Sequence, residues 1–222
     1  MKAIAGASFK LIFLDMCIIV IKEKGIAFPS AKVIKTCCEN NPDGFSAAWT
    51  ENGKVNTFKS LNKNGFLKFY SDLRKKLDKK ESLIIHARIK THGSISLANC
   101  HCWYSDGVVF AHNGVLSIKN RDDLTDSETF FRDIFIPIWK QSNHNWKECE
   151  KAINAIIGSS RFAFLDVSNG DIIHFGNYYK RNGILFSNTS FEREKFKIPT
   201  WDSLYSKYGK KYPFNYCGCI DE

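Results

Sequence analysis

The order of apolar runs, turns and helical stretches predicts an α+β layered sandwich on antiparallel strands, rather than a parallel doubly wound sheet. Three observations carry that expectation. Short β-rich runs recur from residue 17 to residue 188. Two pairs of them are joined by Asn-Gly turns, Glu51-Asn52-Gly53 and Ser168-Asn169-Gly170, the strongest short-range signal of a tight antiparallel hairpin. Amphipathic stretches of helical length fall between the hairpins in groups, not in strict alternation with single strands.

The strands are expected at residues 17–22 (CIIVIK), 45–50 (FSAAWT), 54–59 (KVNTFK), from Ser82 through LIIHARI, 108–112 (VVFAH), 161–167 (RFAFLDV), 171–176 (DIIHFG) and 183–188 (GILFSN). Helices are expected over 30–40, 64–79, 126–141 and 146–157. Two of them have marked starts. Thr125 with Glu128, and Asn145 with Glu148, have the spacing in which a capping side chain and a carboxylate satisfy free amides of the first turn. No Pro-, Ser- or Gly-rich linker interrupts the pattern, so one domain is expected over residues 17–205. It is preceded by an upstream segment, 1–16, and followed by a Lys- and Tyr-rich tail, 206–222.

With 222 residues, 44% of them hydrophobic, the chain can bury a substantial core. Its formal charge of +9 comes from Lys scattered along the chain rather than from one block. A solvated basic surface explains that pattern best, with a nucleic-acid partner left open. The eight cysteines lack a secretory context, and no run approaches the length of a membrane span, which favours a reduced, cytoplasmic protein without a membrane role.

The residues that carry chemistry come in six short segments. They are Met16-Cys17-Ile18-Ile19-Val20, Asn41-Pro42-Asp43-Gly44-Phe45, His86-Ala87-Arg88-Ile89-Lys90-Thr91-His92-Gly93, Asn99-Cys100-His101, Ala111-His112-Asn113-Gly114-Val115-Leu116 and Thr125-Asp126-Ser127-Glu128. Each alone has an ordinary explanation: Asn-Gly after a strand is usually a turn, and TDSE is usually a helix cap. In this order, the set resembles the glutaminase domain of class II glutamine amidotransferases, a branch of the N-terminal-nucleophile hydrolases.

The resemblance implies a four-layer αββα sandwich with two mainly antiparallel sheets. It also implies a stand-alone enzyme that hydrolyses the side-chain amide of glutamine without a cofactor. Cys17 would be the nucleophile, exposed as the N-terminal residue. A free α-amine has a pKa of about 8, within reach of the sulfur, and can take up and return the proton that amide cleavage moves. By the same resemblance Arg88 binds the glutamine α-carboxylate and Asp126 its α-ammonium group, while Asn113 and the Gly114 N–H form an oxyanion hole. Thr91, His92 and Gly93 form a loop over the substrate. Asn99 and His101 are a structural pair beneath that loop, His86 lies near the site, and Asp43 with Gly44 faces the nucleophile. The chain departs from the pattern at Ile18, at Asn41-Pro42 and at Ile89, none of which carries the chemistry.

Residues 1–16 would block the α-amine, so either the start is assigned too far upstream or the segment is a leader removed by self-cleavage. The first is favoured, because the segment shows no targeting pattern. Metal binding by His86, His92, His101, His112, Cys100 and Cys102 is disfavoured, since no CxxC or HxxxH pair is present. Cys37-Cys38 reads as a half-buried apolar pair, Cys217-Gly218-Cys219 is too weak a signal to assign, and Asn188-Thr189-Ser190 is a formal glycosylation sequon without secretory context. Three functions stay open: a glutaminase passing ammonia to a separate synthase, an amidase for another γ-glutamyl compound, and a non-catalytic basic binding protein on the same fold.

Overall fold

The protein is described by a computed structural model covering residues 17–90, 93–121 and 124–192. The expected strands form, and two short ones join them. One sheet has six strands in the order β3 (Lys54–Ser60), β2 (Gly44–Glu51), β4 (Leu83–Arg88), β1 (Ile18–Lys22), β10 (Ile184–Phe186) and β9 (Tyr179–Arg181). The other has four, in the order β5 (Trp103–Ser105), β6 (Val108–Asn113), β7 (Arg161–Asp166) and β8 (Ile172–Phe175). Every pairing between them is antiparallel.

Three apolar clusters define the layers. α1 (Ala31–Asn40) and α2 (Lys63–Lys76) cover the outer face of the six-stranded sheet, where Ile34, Cys37, Phe66 and Tyr70 meet Ile18, Val20, Phe45, Ile85 and Phe186. Between the sheets Ile19, Ile21, Ala48 and Ile84 face Val109, Ala111, Ala163 and Leu165. The outer face of the four-stranded sheet packs Phe110, Phe162 and Phe164 against Phe130, Phe131, Phe135, Trp139 and Ile153. The result is the expected αββα order. It also explains why CIIVI reads as an unbroken apolar run: with a layer on each face, successive β1 side chains alternate between two cores. Cys37 and Cys38 are fully buried in the first of these cores, deeper than their sequence suggests.

The helix starts match in place but not always in detail. Thr125 Oγ1 accepts from the Glu128 amide at 3.3 Å, as expected of a cap, while the Glu128 carboxylate is held by Arg132 at 2.7 Å instead of reaching back. Asn145 caps α5 (Trp146–Ile156) through the Lys147 amide, not through that of Glu148. Residues 126–141 are helical throughout, yet in three parts: α3 (Asp126–Thr129), a π-helical stretch Phe130–Phe135, and α4 (Ile136–Gln141). Pro137 is the physical reason. It has no N–H to donate one turn back, and its ring would collide with the Asp133 carbonyl of a regular helix, so the backbone widens just before it. The tail expected at 206–222 and the upstream segment 1–16 lie outside the described residues, as does the end of the expected 17–205 domain.

Candidate active site

Antiparallel register brings the expected residues to one edge of the sandwich. Ala87 of β4 pairs with Ile18 of β1, and Arg88 with Gly44 of β2, so Cys17, just ahead of β1, lies beside the end of β4. On the facing sheet β6 ends at His112 and Asn113, and Gly114 follows. Asp126 opens α3 next to them. Cys17, Arg88, Gly114 and Asp126 share one small cleft with Ile89, Thr125, Ser127 and the rings of His101 and His112. Its volume of about 20 Å³ has room for one water-sized group, so an amino acid can be admitted only when surrounding groups move.

The Cys17 thiol donates to the Ile89 carbonyl at 3.5 Å. Burial pushes its pKa up to about 11, against the opposing pull of that hydrogen bond and of the Arg88 guanidinium. Arg88 is buried, and its Nη1 donates to the Ser94 carbonyl at 2.9 Å. The same carbonyl accepts from Asn99 Nδ2 at 2.9 Å, which draws the 93–99 loop over the guanidinium. Gly93 fits there because it has no side chain: at its φ of +70° a Cβ would lie 3.1 Å from Thr125 Cγ2 and 3.2 Å from Asn99 Nδ2. Thr91 and His92 lie outside the described residues.

Asp126 is fixed through both oxygens. Oδ2 accepts from the Leu116 amide at 2.8 Å, and Oδ1 from the Ser127 amide at 2.7 Å and the Ser127 hydroxyl at 3.1 Å. Ser127 Oγ in turn lies 2.7 Å from His112 Nδ1. Asp43 braces the exit of β4, its amide donating to the Arg88 carbonyl at 2.9 Å and its Oδ2 accepting from the Lys90 amide at 2.8 Å. Beneath these groups is a stack of imidazoles. The rings of His86 and His101 lie 3.8 Å apart and within 6° of parallel, and His101 Nδ1 accepts from the His112 amide at 3.1 Å. Burial holds His86 and His101 well below the ordinary histidine range and lowers His112 to about 4. Among the described residues no three His, Cys, Asp or Glu side chains are placed to share a metal ion.

Asn113, expected in the oxyanion hole, does not line the cleft, and neither do Gly93, Asp43, His86 and Asn99. Asn113 Nδ2 donates to Ser187 Oγ at 2.7 Å. Ser187 and Asn188, which the sequence presented only as a strand end and a sequon, were missed. Asn188 Nδ2 donates to the Cys17 carbonyl at 2.7 Å. The signal that finds them is Asn182-Gly183, a hairpin turn that runs β10 back along β1 to its start.

An αββα sandwich with a cysteine at the head of its first strand is the architecture of an N-terminal-nucleophile hydrolase. The chain belongs to the class II glutamine amidotransferases: the family described as "Glutamine amidotransferases class-II" matches residues 12–174. Among solved structures, a glutamine aminotransferase class-II domain protein from silicibacter pomeroyi is 16% identical, with 68% of this chain and 73% of that one covered and a TM-score of 0.42. Glutamine phosphoribosylpyrophosphate amidotransferase from B. subtilis, solved with ADP and GMP, is also 16% identical, with 79% of this chain and 43% of that one covered and a TM-score of 0.48. No curated protein matches the sequence. Among the described residues no helix is long and apolar enough to cross a membrane.

Proposed function

We propose that this chain is a glutaminase whose nucleophile is Cys17, freed as the N-terminal residue, and that its ammonia goes to a synthase on a separate chain. The observation that carries the reading is the shared cleft of Cys17, Arg88, Gly114 and Asp126. A buried guanidinium and a fixed carboxylate, with a thiol between the elements that bear them, suit an amino acid whose two charged groups are held while its far end reacts. Arg88 takes the α-carboxylate and Asp126 the α-ammonium group. Gly93, with Thr91 and His92, is assigned to substrate binding.

Sγ of Cys17 attacks the γ-carbonyl carbon, and its proton passes to the α-amine. The oxyanion is met by the Gly114 N–H and the Asn113 side chain. The C–N bond then breaks, the amine returns the proton, and ammonia leaves. Water hydrolyses the remaining thioester to glutamate and restores the thiol. No cofactor takes part, and the reaction belongs in the cytoplasm.

Intact mass and N-terminal sequencing of the protein made from its own gene, with and without 6-diazo-5-oxonorleucine, test the reading. It predicts a chain beginning at Cys17 and carrying one adduct on that residue. A chain that keeps Met1, takes no label and binds nucleic acid with steep salt dependence would overturn it in favour of a binding role for the basic surface.

A further inference from the structure

The two residues that follow β10, Ser187 and Asn188, reach Asn113 and Cys17. Ser187 is fully buried, and its amide donates to the Ile19 carbonyl at 3.0 Å. Its Oγ accepts from the Ile19 amide at 2.8 Å and from Asn113 Nδ2 at 2.7 Å. Asn188 accepts from the Ser190 amide at 3.0 Å and donates to the carbonyl of Cys17 at 2.7 Å.

We propose that Ser187 and Asn188 are positioning residues for amide hydrolysis, Ser187 orienting the oxyanion donor Asn113 and Asn188 fixing the backbone of the nucleophile; this rests on the glutaminase reading above. The chemistry of a primary amide supports the first half. Asn113 Nδ2 carries two hydrogens, and the one bonded to Ser187 leaves the other to donate to an oxyanion. The terminal torsion of an asparagine is broad and roughly two-fold, so without an anchor the amide turns freely and can present its oxygen where negative charge develops. Ser187 Oγ is itself held by the Ile19 amide, one residue from Ile18 and two from Cys17, so donor and nucleophile are referred to the same stretch of β1. For the second half, the Asn188 nitrogen that a glycan would occupy is engaged with Cys17 in a largely buried side chain. The Asn188-Thr189-Ser190 sequon thus marks a support of the site.

The test is steady-state glutamine hydrolysis by Ser187→Ala, expressed from the full gene and checked by mass for the same N-terminus as wild type. Loss of an orienting contact lowers kcat by about 10- to 100-fold, while KM, set by Arg88 and Asp126, stays within about threefold. Ser187→Cys keeps the volume but offers only a weak acceptor, and it falls with Ser187→Ala; it carries the test if the alanine variant does not fold. In an Asn113→Ala background the loss at Ser187 shrinks to about twofold or less, because the group it orients is gone. Asn188→Ala lowers kcat in either background. A Ser187→Ala enzyme with wild-type kcat, or one that loses as much in the Asn113→Ala background, overturns the proposal. A wild-type chain that diazo-oxonorleucine does not label overturns the glutaminase reading first.

Discussion

Two residues at the cleft admit few alternatives. Gly114 has a φ of +146°, and a Cβ there would lie 2.1 Å from Ser160 Oγ and 2.9 Å from Ser160 Cα, which is backbone and cannot turn aside. Gly114→Ala is expected to cost about 3 kcal/mol in urea unfolding, from overpacking added to strain. Gly25→Ala is the comparison: its φ of +80° is nearer the left-handed well and less strained, and a Cβ there meets nothing within 4 Å, so it loses only about 1 kcal/mol. Equal losses at the two positions would mean that the Ser160 contact is unimportant. At Arg88, replacement by Lys keeps the charge but removes the planar fork, one arm of which is occupied by the Ser94 carbonyl. The expected outcome is a KM for glutamine raised about 10- to 100-fold with kcat little changed. A fall in kcat at constant KM would place Arg88 in the chemical step instead.

At the scale of elements, α3 carries Asp126 into the cleft, and its start depends on Thr125. Thr125→Ala removes the bond to the Glu128 amide and the methyl that packs near Gly93, and should cost about 1 kcal/mol of stability. Because Asp126 is the next residue, KM should rise with it; a stability loss without any change in KM would separate the cap from the site. The elements also show what was legible in the sequence and what was not. Strands with two buried faces announced themselves, as CIIVIK and VVFAH did, because only Lys22 and His112 at their ends depart from an apolar run. β5 and β9 did not, since three residues are too few for a period and Tyr104 and Tyr179 are exposed. Their turns, Asp106-Gly107 and Asn182-Gly183, have positive φ at both positions and carry the same signal that revealed the β2–β3 hairpin. The strand at 183–188 is legible, but not that the Asn182-Gly183 turn runs it back along β1, which is what brings Ser187 and Asn188 to Asn113 and Cys17. The π-helical stretch was concealed because apolar spacing shows which face is buried but not how many residues make a turn; Pro137 was the visible warning.

Across the whole molecule, the two sheets are joined near the site by titratable rings. His86 comes from the six-stranded sheet and His112 from the four-stranded one, with His101 stacked between. Burial depresses all three, and Asp126 only partly restores His112. A histidine whose pKa is lower in the folded state contributes stability that is complete above the unfolded value of about 6.5 and is lost as pH falls through the folded value. For His112 that window runs from about 6.5 down to about 4, and for the other two the loss runs in the same direction below about 6.5. Unfolding free energies from urea titrations should therefore fall steadily from pH 7 to 4.5, by up to about 1.4 kcal/mol per pH unit for each ring, and the midpoints with them. His86→Leu should make that slope shallower. Midpoints unchanged over the range would show that the rings do not oppose protonation.

The pairing of β1 with β10 also sets when the centre can be completed during synthesis. β1 is the first of the described strands to leave the ribosome, and its neighbour β4 follows after about sixty residues; the bonds from Ser187 and Asn188 arrive 168 and 171 residues along the chain from their partners Ile19 and Cys17. A nascent chain halted before Ile184 could already hold Arg88 and Asp126, yet the Cys17 carbonyl and the Ile19 amide would still face water. The backbone of Cys17 is held by residues that follow one of the last described strands to be translated, so a growing polypeptide leaves that position unanchored until this strand has been made.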